Sequence, residues 1–165
     1  MRRLLLVPTV VALVAAGCGG TRTVTVTVGA KTGPGAPREI AQFGYVKSLR
    51  RSGGLFELRF DPAWLLSGKT ASQAALEDTG AGDVPNDFYR VDEGHRLFTY
   101  LVPPGAHVTV LVDGVNGTRI SVSQLAQLVA GQNPLGHRLF EPLTTGFWIV
   151  TRIDRVLSLD QQYFP

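Results

Sequence analysis

Residues 42–60 read QFGYVKSLRRSGGLFELRF, and this stretch decides the fold class. Phe56, Leu58 and Phe60 alternate with Glu57 and Arg59, the period of two that belongs to a strand with one face buried. Gln42 to Arg50 reads as the strand before it, and Arg51-Ser52-Gly53-Gly54 supplies the turn between them. The pair is an opening hairpin. Asp61-Pro62 is read as its end, and Ala63 to Leu66 as a short helical turn that sets Trp64 over the end of a barrel.

Downstream the pattern stays mainly β. Thr70 to Gly80 reads as a short helix, with Thr70 and Gln73 as a capping box and Gly80 as its stop. Phe88 to Val91 is a brief extended piece. Arg96 to Val102 is a strand stopped by Pro103-Pro104-Gly105, and His107 to Val112 is another, with Val108, Val110 and Val112 on one face. Asp113 to Gly117 reads as a tight turn or bulged loop. Ser121 and Gln124 form a second capping box, with Ile120 and Leu125 at the positions of a hydrophobic staple. Val122, Leu125, Leu128 and Val129 share a face of that helix, and Gly131 closes it. Phe147 to Thr151 and Val156 to Tyr163 read as a closing hairpin around Arg152 to Arg155. The polar run Asp160-Gln161-Gln162-Tyr163 marks the last strand as an edge or solvent-facing one. The predicted class is α+β, mainly β: a small bent antiparallel sheet or partly closed barrel of about six strands with two short helices. The Gly44-Tyr45-Val46 strand and its return resemble the first hairpin of OB-like barrels in secreted bacterial proteins.

Upstream of the hairpin lies a different kind of sequence. Arg2 and Arg3 precede the apolar run Leu4 to Ala16, interrupted once by Pro8, and the small residues Ala15, Ala16 and Gly17 follow. That order is a signal peptide, residues 1–17. Its apolar run is about 13 residues, where crossing a bilayer takes about 20. The next residue, Cys18, is the one cysteine in the chain. Val14-Ala15-Ala16-Gly17-Cys18 resembles the lipobox of bacterial lipoproteins, with Ala15 where that family most often has Leu. The resemblance implies lipidation of Cys18 and cleavage before it. Two or three acyl chains then hold the chain to the membrane, each buried methylene contributing about 0.8 kcal/mol. Gly19 is not the Asp that commonly retains Gram-negative lipoproteins at the inner membrane. With a lone cysteine, no disulfide can form within the chain.

Residues 18–41 are predicted to be a tether. Thr21 to Val28 alternates threonine and valine, which suits extended backbone, and Gly29 to Pro37 is turn-rich. A solvated stalk is the expected form, with a paired strand as the alternative. Twenty extended residues reach about 65 Å at most. Similar Thr/Val-rich stalks follow the lipidated cysteine in actinobacterial lipoproteins. The remaining stretch, 42–165, is long enough for one globular domain with its own core.

The sequence pI of about 9.4 overstates the basic character of that domain. Arg2 and Arg3 leave with the signal, and residues 42–165 hold eleven bases against twelve acids. A nucleic-acid surface needs clustered excess positive charge, so no nucleic-acid partner is expected. The few cations of the tether suit anionic lipid headgroups.

Candidate chemistry is sparse. Ser67-Gly68-Lys69-Thr70 matches the end of a phosphate-binding loop, but Ala63 stands where that loop needs its first glycine. Glu77, Asp78, Asp83, Asp87, Asp92 and Glu93 crowd one region, with Arg90 as its base. Asp83, Asp87, Asp92 and Glu93 are the calcium candidates, without the regular spacing of a calcium loop. His95, His107 and His137 lack zinc-motif spacing. No nucleophile elbow appears, no catalytic residue is assigned and no cofactor is expected. Phe147, Trp148, Tyr163 and Phe164 are aromatic enough to make a ligand face, with core and edge packing as the alternative. The expected protein is thus exported, lipid-anchored at Cys18 on the extracytoplasmic face, and displays a small binding or assembly domain to an envelope protein or glycan. A cell-envelope hydrolase using acids of 77–93 and a purely structural envelope protein are the alternatives.

Overall fold

The computed structural model describes residues 37–92, 94 and 96–164. The signal peptide 1–17, Cys18, the tether up to residue 36, Glu93 and His95 lie outside the described residues. Along the chain run β1 (Glu39–Ser52), β2 (Leu55–Ser67), α1 (Gly68–Thr79), β3 (Phe88–Val91), β4 (Phe98–Val102), β5 (His107–Leu111), β6 (Gly117–Ile120), α2 (Val122–Val129), β7 (Phe147–Arg152) and β8 (Arg155–Gln161). The described residues therefore form a mainly β structure of eight strands with two helices, rather than about six strands. β6 is the strand the sequence concealed: its four residues directly follow a turn and run straight into the cap of α2.

The opening hairpin forms as its alternation demands, with Arg51 opposite Phe56 and Leu49 opposite Leu58. Both its strands are longer than expected. β1 starts at Glu39, three residues before the domain boundary placed at Gln42, because Glu39–Gly44 pairs with β7. β2 does not stop at Asp61-Pro62, and Ala63 to Leu66 is strand, not helical turn. Pro62 sits opposite Gly44 within the ladder, and residues 64–67 find partners in β3. The strand partners outweigh the local stop signal of Asp-Pro.

The sheet is mixed rather than antiparallel. β8 pairs with β7 antiparallel and with β5 and β4 in parallel. Together with β1–β2, β1–β7 and β2–β4, these ladders complete a circuit β1-β2-β4-β8-β7. β8 is consequently flanked on both sides, which corrects its reading as an edge. Of its polar residues, Gln161 is used inside, while Asp160 stays partly exposed. Gln161 is 8% exposed. It accepts from the Leu111 N–H at 2.9 Å and donates to the Glu141 and Pro142 carbonyls at 3.1 Å. Asp160 accepts from the Thr109 hydroxyl at 2.6 Å.

The core fills this circuit. Leu58, Phe60, Val102, Val108, Val110, Phe147, Ile149, Val156 and Leu159 are fully buried, with Val122 and Leu125 of α2 among them. α2 is held as its sequence announces. The Gln124 N–H donates to Ser121 Oγ at 3.1 Å, and the Ser121 N–H donates to Gln124 Oε1 at 2.9 Å. Each large apolar side chain it buries contributes about 1.5–3 kcal/mol. α1 departs from its predicted start. It begins at Gly68, directly after β2, and Ser67 caps it without a side-chain bond. Gln73 turns instead to Glu77, 2.7 Å away. Its stop is as read: Gly80 is left-handed, and its N–H donates to the Leu76 carbonyl. No helix among the described residues is long and apolar enough to cross a membrane.

Candidate functional site: an aromatic cleft where β1 and β2 part

At Gly44 the first two strands leave no room for a side chain. A Cβ placed there would lie 2.8 Å from Phe60 Cζ and from Pro62 Cα, and closer still to the Asp61 carbonyl oxygen. One pair further, at Phe43 and Ala63, the β1–β2 ladder ends. β1 continues back to Glu39 along β7, while β2 continues to Ser67 along β3. The two strands part, and between them opens a cleft of about 560 Å³. Its walls are residues 40–43 of β1 and 62–65 of β2, joined by Phe98 of β4 and Trp148 of β7.

The lining is apolar and aromatic. Ile40, Trp64, Phe98 and Trp148 are 53%, 59%, 43% and 37% exposed, and they account for four of the nine large exposed hydrophobic residues among the described residues. An exposed apolar patch of this kind on a small domain commonly marks a binding surface. Two of its members are fixed from behind. Trp148 donates its indole N–H to Gln162 Oε1 at 2.9 Å, and its ring rests on Phe43 with centroids 5.6 Å apart. Gln42 donates its side-chain amide to the Tyr100 hydroxyl at 3.0 Å. No ionisable side chain lines the cleft among the described residues, so the arrangement offers stacking and apolar contact rather than proton transfer. Its volume falls within the range of ordinary ligand sites. Two depressions of about 730 and 740 Å³, beside Asp113 and Arg138 and beside Lys47 and Arg90, are larger but more open to solvent.

A buried charge lies just before the cleft residues of β2. Lys47 Nζ lies 2.8 Å from Asp61 Oδ2. That hydrogen bond holds the lysine above its ordinary pKa, against the opposing effect of desolvation. Asp61 is 7% exposed, and its Oδ1 has no hydrogen-bond partner among the described residues.

The predicted site residues scatter. Among the described residues, Asp83, Asp87 and Asp92 included, no three His, Cys, Asp or Glu side chains group as a metal site requires, and Glu93 lies outside the described residues. Asp92 accepts from the Gly94 N–H, as a turn residue does. Asp78 accepts from the Tyr89 hydroxyl at 3.2 Å, and burial first, then the Asp78 charge, raises the tyrosine pKa. His137 Nδ1 sits 3.0 Å from Asp113 Oδ2 and His107 Nε2 sits 3.8 Å from Asp160 Oδ1, on separate parts of the surface. Ser67 to Thr70 is the β2–α1 junction. The four C-terminal aromatics also divide. Phe147 is core, Tyr163 packs on Phe140, Phe164 packs on Phe43 and Phe88, and only Trp148 reaches the cleft.

Ile40, Trp64 and Phe98 were not anticipated as site residues. A signal for Trp64 was present, since counting in twos from Phe60 gives Pro62 and Trp64, had the strand been carried past Asp61. The chain matches no known family model, no curated protein and no solved structure.

Proposed function

We propose that this chain is a membrane-anchored lipoprotein, lipidated at Cys18, which displays a small binding domain on the extracytoplasmic side and takes its partner in the cleft between β1 and β2. The observation that carries the binding reading is the cleft itself: four exposed large hydrophobic side chains from β1, β2, β4 and β7, around a space without charge. The anchor reading rests on the lipobox resemblance at residues 14–18. With this goes a finer reading of the fold, a partly closed OB-like barrel. The circuit β1-β2-β4-β8-β7, with its parallel β4–β8 contact, supports it. Small barrels of that kind commonly bind ligands on one face or in their mouth.

The exposed patch favours this function over a purely structural envelope protein, which needs no such surface. The hydrolase alternative finds no support in the geometry. Glu77, Asp78, Asp83, Asp87 and Asp92 are all exposed, and none of them lines the cleft. Two measurements test the proposal. Intact mass and membrane partitioning, wild type beside Cys18→Ala, are expected to show an acylated chain starting at Cys18 in membranes and a soluble variant. A photo-crosslinking benzoylphenylalanine in place of Trp64 is expected to form an adduct with one envelope component. An unacylated, soluble wild type refutes the anchor, and an absence of adducts refutes the cleft as the site.

A further inference from the structure

The walls of the cleft say what kind of molecule fits it. Residues 40–43 and 62–65 line it as consecutive residues. Neighbours along a strand point to opposite faces, so a space lined by both kinds lies between strand edges rather than over one face of the sheet. The edge on one side is unpaired: among the described residues, Glu39 to Gln42 has β7 as its sole strand partner. No turn or loop backbone bond reaches these residues either. Alternate residues of an antiparallel strand turn N–H and C=O away from the neighbour they pair with, so this segment presents backbone donors and acceptors to the cleft.

Proteins normally guard such an edge with a lysine, a proline, a bulge or a covering element. Ile40-Ala41-Gln42 has none of these, and the bulge of β1 lies elsewhere, between Val46 and Ser48. The one acid of the segment, Glu39, is paired with Arg152 of β7. We infer that the occupant is an extended, uncharged polypeptide segment of a partner protein, which adds as a strand to the Glu39–Gln42 edge and sets alternate apolar side chains against Trp64, Phe98 and Trp148. Main-chain pairing supplies the affinity and the aromatic walls the selectivity, as in other strand-addition complexes. A neutral lining suits a neutral segment, because an ionised side chain would be stripped of water there without a counter-charge. This inference rests on the reading of the cleft as the binding site.

The test uses the exported chain from residue 18 with Cys18→Ser, and a display library of uncharged octapeptides. Selected peptides are remade with and without N-methyl groups on alternate residues, then titrated by calorimetry and by amide NMR. The expected result is enrichment of alternating apolar residues, amide shifts and exchange protection centred on residues 39–42, and binding at least tenfold weaker after N-methylation in one of the two alternate registers. Trp64→Ser is expected to weaken the same peptides without moving the unfolding midpoint. Equal affinity after N-methylation in both registers overturns strand addition. A library without binders, alongside a Trp64 photo-adduct to a non-peptide component, overturns the peptide while leaving the cleft as the site. Neither binders nor adducts overturns both.

Discussion

Replacing Gly44 with alanine puts a methyl group where β2 leaves no room for one. The new carbon would stand 2.8 Å from Phe60 Cζ and from Pro62 Cα, and nearer to the Asp61 carbonyl. Ordinary contacts between such atoms need about 3.5–4 Å, so the obstruction is of the order of 1 Å. Two of the three obstructing atoms are backbone, and the third belongs to a fully buried ring, so no flexible side chain can yield. Overpacking of this kind costs about 1–3 kcal/mol, and the backbone location places Gly44→Ala near 3 kcal/mol. For a domain of this size that is a fall in Tm of roughly 10 °C, and a loss of about 1.5 M from the urea midpoint at an unchanged slope. Gly54→Ala is the control. Nothing lies within 4 Å of its added carbon, and its effect is expected to stay within about 0.5 kcal/mol. Urea and thermal unfolding followed by far-UV circular dichroism read both. If Gly44→Ala unfolds with Gly54→Ala and the wild type, the crossing of β1 and β2 is not as tight as described, and the argument that this pinch opens the cleft goes with it.

Gln161→Leu removes the acceptor of the buried Leu111 N–H and the donor to two loop carbonyls, with an expected cost of about 2–4 kcal/mol in urea unfolding. Ser121→Ala is expected to cost about 1 kcal/mol by loss of its cap, whereas Thr70→Ala, inside α1 rather than at its cap, is expected to change stability by less than about 0.5 kcal/mol. Lys47→Met leaves Asp61 buried without its cation and is expected to destabilise by about 1–2 kcal/mol, a figure kept low because the lysine is half exposed. The pH dependence of that contribution has a definite sign. The folded-state pKa of Lys47 is raised, so its stabilisation is complete below the ordinary lysine range and fades as pH rises through the raised value. Wild type and Lys47→Met should therefore converge in strongly alkaline urea titrations.

Most residues whose partners are local were legible in the sequence, the Thr70–Gln73 box excepted. The Phe56-Leu58-Phe60 alternation, the Ser121–Gln124 box and the Gly80 stop each depend on a few neighbours, and each forms as read. What required distant partners was not. Asp61-Pro62 is a local stop signal, and β2 runs through it because Gly44 and β3 are waiting on the far side. Gln161 looks solvent-facing until Leu111 and the Pro142 turn are brought to it. The cleft belongs to the same class. Its residues are spread from position 40 to position 148, and only the sheet order makes neighbours of them.

The position of β8 at the centre of the sheet, between β7 on one side and β4 and β5 on the other, has a consequence for the order of events during synthesis. This strand leaves the ribosome after all of its partners, and residues such as Val108 must wait for partners some fifty positions downstream. Pairings of long sequence separation close slowly, on a scale of about milliseconds to seconds. Until Leu159 and Gln161 arrive, β4, β5 and β7 lack the strand that joins them. A polypeptide built in this order closes its circuit of strands only once β8 has been made.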